Sequence, residues 1–309
     1  MNRISLRAAL PAAFSLALLA ALPAAAETRR PIDEHRAADA KGQVEVVVVS
    51  GKVSVVGWDK AEVGVTGSIG ENVDRLEVTT SGTHTTVRTV QKEHVVSHFD
   101  WGNKLGDADL VVHVPRGSSL SATLVSCDLA VSEVQGDEDL HSVSGDLKVH
   151  ANHEVRIGTV SGDVHLTAGS EAKLIEVGTT SGDIGISGGG GDVSVNTVSG
   201  DAIVTVGYVT RLRAKSVSGD HKLTVALAPD GRLEAESVSG DLDINFSNGV
   251  PPAEFDVKSF SGDLTTCFGQ KPVQEQHGPG SRLSYREGAG SARVKVDTMS
   301  GDVSLCNKH

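Results

Sequence analysis

The triplet Ser-Gly-Asp recurs eight times between residue 144 and the C-terminus, and this recurrence points to a repeat architecture. The triplets begin at Ser144, Ser161, Ser181, Ser199, Ser218, Ser239, Ser261 and Ser300. Successive triplets are separated by 17, 20, 18, 19, 21, 22 and 39 residues. A unit of about 20 residues is too short to fold alone, so its copies must stack on one another.

The residues around the triplet alternate between apolar and polar. A hydroxyl residue stands two positions before each Ser, an apolar residue stands four before it, and apolar residues mostly occupy the first and third positions after the Asp. This period of two predicts a strand on each side of a Gly-Asp corner. Stacked strand-corner-strand units form an all-β, single-domain β-solenoid resembling a parallel β-helix, with an inward hydroxyl ladder. A β-sandwich is the alternative, but its turns have no reason to share one triplet.

The chain divides into three segments by composition. Residues 1–26 combine Arg3 and Arg7, an apolar stretch and the small residues 24–26, which is typical of a secretory signal peptide. Residues 27–41 are polar, and we expect a flexible lead there. Residues 42–309 are predicted to form the solenoid, in which each strand-corner-strand unit is one rung. Divergent rungs are expected over 42–125 and Ser-Gly-Asp repeats over 126–309.

The composition limits the classes of partner. The formal net charge is −12 and aromatic residues make up 3% of the chain. An acidic rod has no electrostatic reason to bind nucleic acid, and few aromatic residues disfavour tight sugar recognition. No segment after the signal peptide is long and apolar enough for a membrane span. We therefore expect an exported protein, either periplasmic or extracellular at the cell surface.

The three cysteines suggest one disulfide. Cys267 and Cys306 each lie four residues after the Asp of a triplet, so they are equivalent positions. If the 39-residue step is a single rung with an excursion over 269–280, their Cα atoms lie about 4.8 Å apart and a bridge is feasible. If it is two rungs, the distance is too long. We favour the bridge, and we expect Cys127 to be buried and inert.

Several segments resemble a known family. The Ser-Gly-Asp repeats, Val49-Ser50-Gly51 with Gly57-Trp58-Asp59, and residues 112–117 (Val-His-Val-Pro-Arg-Gly) are similar to the bacterial "putative adhesin" β-strand-repeat family, a domain of unknown function. The resemblance covers most of the chain after the signal peptide. It implies an exported β-solenoid with no known catalytic site.

The recurring Asp residues are candidate calcium ligands. Oxygen-rich turns suit Ca²⁺, and stacking would align Asp146, Asp163, Asp183, Asp201, Asp220 and Asp241, followed by Asp263 and Asp302. The alternative, which we favour, is that each Asp bonds the amides of its own corner and faces water. No other cofactor is expected.

A second candidate site lies in the predicted lateral loop over 91–107. His94 and His98 share one face if the segment is a strand, and with His84 or Asp100 they could hold Zn²⁺. A solvated loop is the more frequent outcome for such spacing. Long loops on a solenoid commonly carry binding residues, so His94, His98 and Trp101 are our candidate partner-binding residues. His141, His150, His153 and His165 could also cluster across repeats.

These observations favour a non-enzymatic function. No Gly-x-Ser-x-Gly nucleophile elbow and no His-Glu-x-x-His motif stands out, and eight copies of one triplet are typical of a scaffold. We expect an envelope-associated binding scaffold or adhesin with an unidentified cell-surface ligand. The alternatives are a polysaccharide-active enzyme with a lateral groove and a structural, self-assembling envelope component.

Overall fold

A computed structural model describes residues 29–92, 106–274 and 280–307. In these residues the structure is all-β, and its strands join in one 23-stranded sheet. The predicted all-β class is therefore confirmed, and the parallel, in-register stacking of successive repeats confirms the β-solenoid. Within the same ranges, no helix is long and apolar enough to cross a membrane.

The N-terminal part has seven strands. They are β1 (Arg30–Ala37), β2 (Gln43–Trp58), β3 (Glu62–Ile69), β4 (Val73–Ser81), β5 (His84–Gln91), β6 (Ala108–Pro115) and β7 (Ser119–Ser132). Strand β2 is a complete rung, because it pairs in parallel with β7 on one side and with β5 and β6 on the other. On the side of β2 away from β7, the further pairings are antiparallel: β4 with β5, β3 with β6 and β1 with β3. Antiparallel strands thus end the parallel stack on this side.

The expectation of a flexible lead is wrong for residues 30–37, which form β1. All eight residues of β1 pair with β3, and Ile32 packs against the core. The polar composition of this segment suggested disorder. An edge strand, however, is held by backbone hydrogen bonds, which do not require apolar side chains.

The central part contains ten strands. They are β8 (Glu138–Ser144), β9 (Leu147–Ala151), β10 (Val155–Ser161), β11 (Val164–Ala168), β12 (Leu174–Ser181), β13 (Ile184–Gly188), β14 (Gly191–Ser199), β15 (Ala202–Ser218), β16 (His221–Ser239) and β17 (Leu242–Phe246). Strands before a triplet pair in parallel with one another and form what we call the first ladder. Strands after a triplet form the second ladder in the same way. The register matches triplet to triplet, for example Ser161 with Ser144 and with Ser181.

The C-terminal part contains six strands. They are β18 (Ala253–Ser261), β19 (Leu264–Thr266), β20 (Val273–Gln274), β21 (Ser281–Arg286), β22 (Ala292–Ser300) and β23 (Val303–Asn307).

The last two rungs are stacked in the reverse of their chain order. Ser300 is in register with Ser239 on one side and with Ser261 on the other. After β17 the chain therefore leaves one rung position open, forms β18 and β19, and returns through β21, which is antiparallel to β18. Strands β22 and β23 then fill the open position. The sequence repeat did not predict this exchange.

Each corner depends on its glycine. Gly200 has a φ of 137°, and a Cβ atom at this position would collide with the carbonyl oxygen of Gly182 in the preceding rung. The same close approach joins Gly301 to Gly240, and Gly262 to Gly301. Any side chain here would collide with the neighbouring backbone, so stacking itself requires glycine.

The inward residues of both ladders form one core, which includes Leu140, Ile157, Val195 and Ile244. The hydroxyl residues two positions before the triplet are also buried, with 3–7% of their surface exposed. They stack in register on adjacent rungs as the expected hydroxyl ladder, and Ser142 and Thr159 each donate to the carbonyl of the Ser two residues later (3.1 and 3.3 Å).

Candidate binding surface

The Asp residues of the triplets form a continuous hydrogen-bonded column. The Oδ1 atom of each Asp accepts a hydrogen bond from the backbone N–H of the Asp in the next rung. The distances are 3.2 Å for Asp146 to Asp163, 3.0 Å for Asp163 to Asp183 and 2.9 Å for Asp183 to Asp201. They are 2.9 Å for Asp201 to Asp220, 2.8 Å for Asp220 to Asp241, 2.8 Å for Asp241 to Asp302 and 2.8 Å for Asp302 to Asp263.

This column explains why the corner uses Asp. The N–H of the preceding Gly donates to a Ser carbonyl in the following rung, as Gly200 does to Ser218 (3.3 Å). The Asp N–H is directed toward the preceding rung, where the side chain of that rung's Asp supplies the acceptor. The partner amide therefore belongs to the neighbouring corner, and not to the Asp's own corner as we expected. Calcium binding by the second carboxylate oxygens stays a prediction; among the described residues no cluster of three or more metal-ligating side chains occurs.

A row of exposed apolar side chains runs beside this column. The residue directly before each triplet points outward, because the hydroxyl residue before it points into the core. The segment Ser126-Cys127-Asp128 is an equivalent corner, because Ser126 is in register with Ser144. We define the apolar stripe, in stacking order, as Val125, Val143, Val160, Thr180, Val198, Val217, Val238, Met299 and Phe260. Its apolar members are 42–68% exposed, and Phe260 is the most exposed.

The stripe extends along most of the solenoid. Nine positions at rung spacing span roughly 40 Å. Single exposed apolar residues are normal on a protein surface, whereas a contiguous row marks an interaction site. The Asp of each Ser-Gly-Asp triplet lies three residues after its stripe residue, so one flank of the stripe is acidic.

The stripe could have been found in the sequence. Positions two, four and six before the triplet show the inward pattern, and the position directly before it is Val in five of the eight repeats. When an outward-facing position of an alternating strand is apolar in most repeats, stacking places those apolar side chains side by side, and such a row indicates a binding surface. The sequence interpretation, which rested on the inward positions, missed it.

The predicted loop site cannot be placed. His94, His98, Asp100 and Trp101 lie outside the described residues, so both the zinc and the partner-binding predictions stay predictions. His84 is described; its Nε2 atom lies 3.3 Å from Glu45 Oε2. The segment over 269–280 is described up to Gln274, and its strand β20 pairs with β21.

The four repeat histidines do not form one cluster. His150 and His153 line a polar groove of about 600 Å³ whose other lining residues are Arg116, Glu133, Gln135, Asn152 and Glu171. His153 pairs with Asp137, and this hydrogen bond raises the pKa of His153. His141 lines a different groove, of about 500 Å³.

Two titratable side chains are buried in the core without hydrogen-bond partners among the described residues. Glu138 is 1% exposed, and neither carboxyl oxygen has a partner; burial raises its pKa to about 8. His221 is also 1% exposed and unpartnered, and burial lowers its pKa. Both occupy inward positions that are apolar in most repeats, so they affect stability and do not contribute to the surface.

The predicted disulfide is present. Cys267 and Cys306 are bonded, and their Cα atoms lie 4.9 Å apart, which matches adjacent rungs. Cys127 is free and buried, and burial raises the pKa of its thiol to about 12. The thiol is therefore protonated at neutral pH, as expected for an inert cysteine.

Several solved structures match this chain at low identity. A "putative cell adhesion protein" from Clostridium sporogenes is 11% identical, with a TM-score of 0.27, and the match covers 90% of this chain and 100% of that one. A "putative adhesin" from Bacteroides fragilis is 10% identical, with a TM-score of 0.39 and coverages of 89% and 97%. A "putative lipid binding protein" from Parabacteroides distasonis is 12% identical, with a TM-score of 0.37 and coverages of 89% and 96%.

Comparison with curated proteins finds no match. The sequence profile of the Toastrack DUF4097 family matches residues 48–306. This range begins within β2, ends within β23 and includes every Ser-Gly-Asp corner. The chain therefore belongs to the Toastrack DUF4097 family.

Proposed function

We propose that this protein is a non-enzymatic, exported scaffold that binds a partner along the apolar stripe. The observation that carries the proposal is the row of eight exposed apolar side chains from Val125 to Phe260. The predicted signal peptide supports export, and the Cys267–Cys306 disulfide fits an oxidising compartment. A periplasmic location and a cell-surface location are both compatible with this role.

The charge beside the stripe selects the kind of partner. The Asp column supplies one carboxylate per rung on that flank. A polypeptide surface with apolar residues flanked by Lys or Arg would match both the stripe and the column. We therefore propose an adhesion-type role in which the partner is an apolar, cationic polypeptide surface of the envelope.

Substitutions in the middle of the stripe test this proposal. The protein of residues 27–309 would be titrated with a synthetic amphipathic peptide of Leu and Lys and with whole bacteria. Val198→Ser together with Val217→Ser removes two half-exposed apolar side chains, and we expect binding about tenfold weaker. Thr180→Val completes the stripe at nearly constant size and should strengthen binding.

The matched control is Thr205→Ser with Thr224→Ser, on the outward face of the second ladder. We expect this pair to bind like the wild type. If all three variants bind alike, the stripe is not the binding surface. A separate variant, Trp101→Ala, tests the predicted loop site, since weaker binding with unchanged stability would place contacts there as well.

The groove that includes Arg116 and His153 supports the glycan-active alternative. Glu133 in this groove has a φ of 62°, and it is the one non-glycine residue with positive φ in the described ranges. Backbone strain of this kind clusters at functional sites. Polysaccharide turnover that Glu133→Gln abolishes would establish this alternative in place of the scaffold.

A further inference from the structure

The outward face of the first ladder carries charged side chains on adjacent rungs. Three columns of this face are defined by the register of β14, β15, β16, β22 and β18. The column nearest the start of the strands reads, in stacking order, Asp192, Arg211, Arg232, Arg293 and Glu254. Three arginines are thus consecutive neighbours in a chain whose net charge is −12.

The other two columns neutralise themselves. Arg213 pairs with Glu234 at 3.3 Å, and Lys215 pairs with Glu236 at 2.8 Å. In the next two rungs, Lys295 pairs with Asp297 (2.9 Å) and Lys258 with Asp256 (3.2 Å). The acidic residues of these two columns are therefore already paired with basic residues of the same columns.

The arginine column is not neutralised in this way. Arg211 pairs with Asp192 at 2.5 Å, and Glu254 at the far end pairs with Arg286 at 2.9 Å. Arg232 and Arg293 are exposed, and within the described residues neither has an ion pair or a side-chain hydrogen bond. Asp230 and Glu234 each lie two residues from Arg232. Glu234 pairs with Arg213, and in the same part of the structure Asp230 forms no ion pair with Arg232.

Like charges opposite each other on adjacent strands destabilise a sheet. Two arginines whose backbones are about 4.8 Å apart on adjacent rungs can instead place their guanidinium groups around one tetrahedral oxyanion, because each offers a planar fork of N–H donors. We propose that Arg232 and Arg293, extended by Arg211, bind the phosphate or sulfate groups of an anionic glycan. This site is independent of the apolar stripe and adds a second ligand class to the scaffold.

The test uses the protein of residues 27–309 with three fluorescent probes: polyphosphate, dextran sulfate and neutral dextran. The test variant is Arg232→Gln with Arg293→Gln. The matched control is Lys148→Gln with Lys222→Gln, which removes two exposed positive charges from the second ladder. Neither lysine has an ion pair within the described residues. Both variants lower the net charge equally, so a difference between them reports position and not total charge.

We expect the wild type to bind polyphosphate, dextran sulfate or both at low salt, and not to bind neutral dextran. The arginine variant should bind at least about tenfold more weakly and with a shallower salt dependence, while the lysine control changes little. The thermal stability of the arginine variant should be equal to or above that of the wild type, because two neighbouring like charges are removed. Val198→Ser with Val217→Ser should leave polyanion binding unchanged.

Two results would overturn the proposal. One is wild-type protein that binds neither charged probe at low salt. The other is an equal loss of affinity in the arginine variant and the lysine control, which would indicate only nonspecific attraction. A preference for one probe over the other would identify which oxyanion the site selects, and would support the proposal if Arg232 and Arg293 are required.

Discussion

At the scale of single residues, the buried Glu138 makes stability depend on pH. Its folded-state pKa of about 8 lies above the unfolded value of 4.5, because the core disfavours the ionised form. The folded state then binds more protons than the unfolded state between these values, so stability is full below pH 4.5 and falls as the pH rises toward 8. The shift corresponds to at most about 5 kcal/mol.

Glu138→Leu should therefore stabilise the protein, and more at about pH 8.5 than at about pH 4.5. Its neighbours in register are Leu120 and Val155, which suit an apolar residue. Thermal unfolding followed by circular dichroism at both pH values measures the difference. His221→Leu is the opposing control: burial lowers the pKa of His221, so the wild type loses stability as the pH falls, and the gain should be larger at about pH 5. Equal gains for Glu138→Leu at both pH values would show that Glu138 does not titrate in this range.

At the scale of the corner and its strands, the Asp column acts by supplying a side-chain acceptor to a backbone amide. Asp201→Ala removes the acceptor of the Asp220 N–H and should cost about 1 kcal/mol. Asp201→Asn retains a carbonyl oxygen and removes one like charge, so we expect almost no loss. Urea unfolding and hydrogen exchange of the Asp220 amide would measure both effects.

The same pair of variants also separates structure from metal binding. A melting temperature that rises with calcium in the wild type, but not in Asp201→Asn, would make the column a calcium site. Equal losses in Asp201→Ala and Asp201→Asn would contradict the acceptor role. The hydrogen-bond geometry alone predicts that only the alanine variant exposes the amide.

At the scale of the whole molecule, the disulfide holds the exchanged rungs together. It joins Cys267, on the terminal rung of β18 and β19, to Cys306, on the adjacent rung of β22 and β23, and the two cysteines are 39 residues apart in the sequence. Chain-entropy arguments assign a loop of this length about 4 kcal/mol. Reducing the bond, or Cys306→Ser, should therefore raise hydrogen exchange in β18, β19, β22 and β23 and leave β8 to β14 unchanged, since repeats are coupled mainly to their neighbours.

Cys127→Ser is a useful comparison for that experiment, because Cys127 lies near the other end and forms no disulfide. Its effect should be confined to β7 and the adjacent rungs. A uniform rise in exchange along the whole chain after reduction would contradict a local role for the disulfide. Such a result would mean that the solenoid unfolds as a single unit.

The local parts of this structure were predictable. Period-two alternation around a constant triplet determines which side chains of a rung point inward, and stacking places equal triplets in register, as Ser144 and Ser161 show. Equivalent positions of Cys267 and Cys306 then predicted the disulfide. The candidate surface could also be predicted, because the same alternation shows that the residue before each triplet points outward and this residue is usually Val. The continuity of the apolar stripe, however, depends on the order in which the rungs stack.

The sequence by itself determined the rung, its corner and its inward face, because these follow from contacts within about 20 residues and from the geometry of one strand. Only the tertiary structure decided that Ser300 lies between Ser239 and Ser261, and that Arg232 and Arg293 are neighbours. The physical reason is that parallel rungs pair through nearly identical backbone hydrogen bonds. A repeat therefore does not specify which rung lies next to which, and the return through β21 and the loop lengths decide that order.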